Sequence, residues 1–142
     1  MKTAGYSATP LAKKLGIKDG FVLRLVDPPA YYFDLFEDMP LNIRILDDRE
    51  TAKNLIHYFT RKADDLRRDI PLLKEEIETN GMIWISWPKK SSRVMTDITE
   101  DVIRDLALSN GLVDIKVCAI DQIWSGLKLV VPVKDRVKKS AG

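Results

Sequence analysis

The sequence predicts an α/β domain built on a mostly parallel sheet, and two observations predict it. Along the 142 residues, segments with strand character alternate with segments of helical periodicity. Two of the strand segments, 54–59 and 82–86, are near-continuous apolar runs, as strands covered on both faces require. The length suits one domain, which can bury roughly two-thirds of the surface its unfolded chain exposes.

Taken in order, residues 1–8 read as an irregular lead-in. Thr9-Pro10 then offers an N-cap and a proline at the first helical position, and Gly16 offers a left-handed stop. Leu11 and Leu15 give this short helix one apolar side, so it is expected to clip onto the sheet. Phe21–Val26 is the first strand, Asp27-Pro28-Pro29 its turn, and Ala30–Phe36 a short helix. Its aromatics Tyr31, Tyr32, Phe33 and Phe36 are read as core. The second strand, Asn42–Leu46, carries Arg44 and suits an edge, and Asp47 and Asp48 are turn residues. The third strand is Asn54–Phe59, with His57 as a satisfied core histidine. Ala63, Leu66, Ile70, Leu73 and Ile77 alternate three- and four-residue spacing, predicting an amphipathic helix that ends at Asn80-Gly81 and is kinked or broken at Pro71.

The fourth strand lies in Met82-Ile83-Trp84-Ile85-Ser86-Trp87 and is halted by Pro88. Thr99 is the N-cap of the next helix, with Glu100 and Asp101 complementing its dipole and Ile98 and Ile103 forming a staple. That helix stops at Asn110-Gly111. Val113–Ile120 and Trp124–Val131 form an antiparallel pair, and Pro132 ends the domain. One domain over residues 1–133 is expected, followed by a basic, disordered tail, 134–142.

Composition excludes several chemistries. Cys118 and His57 are the only cysteine and histidine, which rules out an internal disulfide and zinc sites built on several such ligands, so no metal is expected. Little remains for a histidine-based triad. A net charge of +2 is weaker than a dedicated nucleic-acid binder carries, so nucleic acid is not the expected partner. No apolar run approaches the ~20 residues that span a bilayer, and the start lacks a signal-peptide core. A cytoplasmic setting without membrane contact is expected.

Four blocks, 9–18 (TPLAKKLGIK), 87–92 (WPKKSS), 96–102 (TDITEDV) and 124–128 (WSGLK), resemble a family of small bacterial domains of unknown function. Residues 53–131 are similar in element order to the second half of a class I methyltransferase. That resemblance implies a trimmed Rossmann-like three-layer sandwich of about six strands, ordered 2-1-3-4-6-5 and ending in an antiparallel hairpin. Methyltransferases place a glycine-rich turn after the first strand, where this chain has Asp27-Pro28-Pro29-Ala30. Two residues of fixed φ and no glycine deny the close backbone approach a cofactor needs there. No S-adenosylmethionine or other cofactor is therefore expected.

In open α/β sheets, ligands sit beyond the carboxyl ends of the strands where the order reverses. The implied order gathers Asp27–Pro29, Thr60–Arg61 and Pro88–Ile98 there. The last is longer than the usual ~2–6 residues of a strand-to-helix link. Lys89, Lys90 and Arg93 supply charge, and Ser91, Ser92 and Thr96 supply hydroxyls, beside the unpaired amides of the Thr99 helix. These residues, with Asp27, form the expected site for a phosphate or carboxylate, and Lys89 is the leading candidate. The expected function is a non-catalytic domain that takes a small anionic ligand or a protein partner on this loop. The alternative is a methyltransferase-like enzyme, or a transferase of phosphorylated substrates, with a non-standard cofactor site. Asp27 and Asp97 are its available titratable groups.

Overall fold

A computed structural model describes residues 9–136. The expected lead-in over residues 1–8 and most of the expected tail lie outside them. Six strands form one sheet: β1 (Val22–Val26), β2 (Arg44–Ile45), β3 (Lys53–Phe59), β4 (Ile77–Pro88), β5 (Val113–Ala119) and β6 (Trp124–Val130). Their order is β2-β1-β3-β4-β6-β5, as the methyltransferase resemblance implies. The first four run parallel, and β6 is antiparallel to both of its neighbours.

Alternation along the strands splits the core into two layers. Ile56 and Tyr58 of β3, Ile83, Ile85 and Trp87 of β4, and Leu127 and Leu129 of β6 face helices α2 (Ala63–Glu76) and α3 (Glu100–Ser109). Leu55 and Trp84 point the other way, onto helix α1 (Leu11–Leu15) and the aromatic segment after β1. Trp84 is fully buried, and its indole N–H donates to Leu15 O at 2.9 Å. That bond fixes the clip to the middle of the sheet and satisfies the one polar atom of a large apolar side chain. The cap expected at Thr99 is present, its side chain accepting from Val102 N at 3.2 Å.

Four local expectations are corrected. Helix α1 begins at Leu11 with Pro10 in the cap position, and its first amides are capped from a distance: Ala12 N and Lys13 N donate to the Asp38 carboxylate at 3.0 and 3.1 Å. Pro71 does not break α2, which is continuous through it. Pro71 is exposed, so the carbonyl it leaves unpaired faces water. The helix stops at Glu76, not at Asn80-Gly81, because Ile77 already pairs with Lys53 as the first residue of β4. The β3–β4 register then slips between Lys53 and Leu55, and Gly81 lies in the resulting bulge. Finally, β2 is only two residues long and pairs with Val22 and Leu23 alone, so it reaches half-way up β1.

The link 46–52 between β2 and β3 contains no helix. A helix there would pack over β1 on the α2 side, because parallel crossovers share one hand. Arg24 and Tyr58 face this gap in place of apolar contacts.

A Cβ on Gly81 would come within 2.9 Å of Lys53 O and 3.0 Å of Glu78 O, both backbone. Gly20 has φ +85° and open space around it. Urea denaturation should show Gly81→Ala costing about 2 kcal/mol or more, and Gly20→Ala about 1 kcal/mol. Equal costs would mean that the bulge yields freely.

Candidate functional site

The loop after β4 is built from its own polar groups. Lys89 N donates to Ile123 O at 2.7 Å, which ties the loop to the β5–β6 turn. Lys90–Ser92 form one 3-10 turn, closed by Arg93 in left-handed backbone at φ +61°. Ser92 Oγ donates to Lys89 O (2.6 Å) and accepts from Val94 N (3.2 Å). Thr96 Oγ1 donates to Arg61 O (2.7 Å) and accepts from Ile98 N (3.1 Å). Asp97 Oδ1 accepts from Ala63 N at 2.8 Å and caps α2. Two of the three expected hydroxyl donors, and one of the two expected acids, are thus spent on holding the loop.

What the loop encloses is a cavity of about 420 Å³ over the end of β4, floored by Trp87, Pro88, Val94 and Ile98, with Lys90 and Arg93 at its rim. Of the expected residues, Lys90, Arg93 and Thr96 line it; Lys89, Ser91 and Ser92 do not. Asp27 belongs elsewhere. It lines a separate cavity of about 290 Å³ between β1 and α2, with Arg24, Arg49, Tyr58, Arg68 and Asp69. That second cavity is the gap left by the missing crossover helix. Sequence reasoning missed it, although Arg24, a charge in the middle of an apolar strand, was a legible sign. Within it, Asp69 accepts from Tyr58 OH (2.6 Å) and from Arg68 Nε (2.8 Å). The Arg68 guanidinium holds the Asp69 carboxyl below its usual range.

On the opposite face the aromatic segment folds over β3. Tyr31 OH donates to Asp121 Oδ2 at 2.8 Å, and burial together with that carboxylate pushes its phenol up to about 12. Beneath it, Tyr32 OH lies 2.9 Å from His57 Nδ1, and His57 Nε2 lies 2.8 Å from Ser86 Oγ. Serine, histidine and tyrosine in this connection resemble a nucleophile, a base and its orienter. All three are sealed at 1% exposure or less, so no substrate reaches them. His57 is the core histidine the sequence predicts. The aromatic reading holds for Tyr32, while Phe33 is 52% exposed.

No protein-family model and no curated protein matches the sequence. Solved structures do. A protein assigned to the type 11 methyltransferases of Sulfolobus solfataricus aligns with TM-score 0.60 and 15% identity over 93% of this chain and 92% of that one. The chain carries the class I methyltransferase fold. Magnesium protoporphyrin IX methyltransferase from Synechocystis PCC 6803, solved with bound SAH, aligns at TM-score 0.57 and 10% identity, covering 84% of this chain and 77% of that one. An O-methyltransferase from neocarzinostatin biosynthesis, in complex with S-adenosylmethionine and a naphthoic acid, gives 0.59 and 9% over 79% of this chain. The chain spans about half of that enzyme, 49% of its length.

The turn after β1 carries no glycine. Asp27 is left-handed at φ +52°, a backbone that aspartate tolerates better than most. Pro28 and Pro29 follow it without amide donors. β2 ends level with Leu23, and Asp48 behind it is turned back onto Thr51 N at 2.7 Å. The residues present do not fit S-adenosylmethionine in the manner of a glycine-rich turn.

Burial holds His57 neutral and pushes its pKa down to about 3, against about 6.5 in the unfolded chain. Between these values the unfolded state binds the extra proton. Stability is therefore complete above pH 6.5 and falls as the pH drops, by up to about 1.4 kcal/mol per unit. Denaturation midpoints between pH 6 and about 4.5 should fall with this slope, and His57→Gln should flatten it. A flat wild-type profile would contradict the buried neutral imidazole.

Proposed function

We propose that this chain is a methyltransferase-like transferase domain with a non-standard cofactor site. The observation that carries the reading is the complete strand order, with antiparallel β6 inserted between β4 and β5, aligned over nearly the whole chain with a solved structure of that fold. At the turn after β1 the exposed Asp27 carboxylate stands where the fold's glycines would offer amides. A carboxylate there suits a cationic group, so charge replaces backbone hydrogen bonding as the means of holding a sulfonium- or ammonium-bearing molecule. A second reading, a non-catalytic domain that takes an anionic small molecule or a protein partner on the 88–98 loop, is favoured by Lys90 and Arg93 at the cavity rim.

A thermal-shift titration separates the two. Millimolar S-adenosylmethionine or S-adenosylhomocysteine should raise the melting midpoint by several degrees, and Asp27→Ala should remove most of that rise. If neither compound moves the midpoint while organic carboxylates or phosphates do, the transferase reading fails and the second one stands.

A further inference from the structure

The cavity under the 88–98 loop has two chemically distinct parts. Its floor is apolar: Trp87 and Ile98 are buried, and Pro88 and Val94 complete the surface. Its rim is cationic. Lys90 and Arg93 stand on one side, and Arg61 and Lys62 on the other, in an adjoining hollow that shares Met95 and Thr96 with the cavity. None of these four side chains has an acidic partner within ion-pair distance among the described residues.

Two acids, Glu100 and Asp97, also line these hollows. Glu100 is bound by Arg104, and Asp97 accepts from Ala63 N. In a chain whose net charge is only +2, four cations without an ion-pair partner around two adjoining hollows are a local excess. Met95 sits at the junction of the two hollows with 88% of its surface exposed. An unbranched, polarizable side chain in that position adapts to an apolar guest.

We propose that this cavity binds a small amphipathic acid, with its apolar body on Trp87, Val94 and Ile98 and its carboxylate or phosphate head between Lys90 and Arg93. A purely polar anion leaves the apolar floor uncovered, and a neutral apolar molecule leaves the cations unanswered. A volume of about 420 Å³ is at the small end of ligand pockets. As the acceptor substrate of the proposed transferase this ligand rests on that reading; as an occupant of the cavity it does not.

The test is an amide NMR titration of the full chain with phenylbutyrate, using phenylbutanol and inorganic phosphate as controls and no methyl donor. Phenylbutyrate should shift the amides of Val94, Ile98, Thr99 and Glu100. The double variant Lys90→Ala, Arg93→Ala should weaken its binding by about tenfold or more with an unchanged melting midpoint, since both side chains are exposed. Both controls should bind more weakly than the acid. The proposal is overturned if phenylbutyrate leaves these amides unmoved, if phenylbutanol or phosphate binds as tightly, or if the double variant binds like the parent. Success here without any response to S-adenosylmethionine would remove the transferase reading and leave the site in place.

Discussion

Lys53 is a lysine with no solvent exposure, and its ammonium meets four oxygens. It donates to Asp48 O and Thr51 O at 2.6 Å each, lies 3.0 Å from Glu76 Oε2, and has Asp48 Oδ1 at 3.8 Å. The Glu76 contact is an ion pair set off the ideal hydrogen-bond direction. Glu76 Oε1 also accepts from Arg24 Nη1 at 2.5 Å. This cluster joins the start of β3, the end of α2, the middle of β1 and the link 46–52. A charge sealed from water is tolerated only when it is paired and hydrogen-bonded, so the link must fold back to deliver its carbonyls and α2 must stop where Glu76 reaches Lys53. The path of the link and the placing of Glu76 at the end of α2 both serve this cluster.

The same cluster accounts for the shape of the carboxyl edge. With the link pinned low, β2 ends half-way up β1. The crossover layer is replaced by charges, and the space it leaves is the cavity that Asp27 overlooks. Lys90 and Arg93 stand over the end of β4, where the loop is longest, while the centre of the sheet is closed by Tyr32, His57 and Phe59.

Much of this was legible in the sequence for physical reasons. Thr99 with two acids behind it is a complete local cap, and the apolar runs at 54–59 and 82–86 have room only in doubly covered strands. The resemblance to a methyltransferase half carried the strand order. Less legible were features that depend on distant partners. Lys53 and Glu76 look like ordinary surface charges in their own neighbourhoods, and Asp38 caps α1 from far along the chain. Ile77 fits helical spacing as well as it fits a strand, so only its pairing with Lys53 decides the helix end. In the loop, the run of charge contains Lys90 and Arg93, which line the cavity. It could not separate them from Lys89, nor foresee that Ser92 and Thr96 would be spent on the backbone.

Beside the missing crossover layer, the buried Lys53–Glu76 pair holds β3 to the end of α2. A double-mutant cycle in denaturant, with Lys53→Met, Glu76→Leu and the combination, measures it most directly. Each single change should cost about 3–5 kcal/mol, because it strands a buried charge. The double variant should lose at least ~2 kcal/mol less than the sum, because neither member of the Lys53–Glu76 pair is then left without the other, while the lost Arg24–Glu76 contact is common to both Glu76→Leu variants and cancels in the cycle. Losses that add to within about 0.5 kcal/mol would contradict the claim.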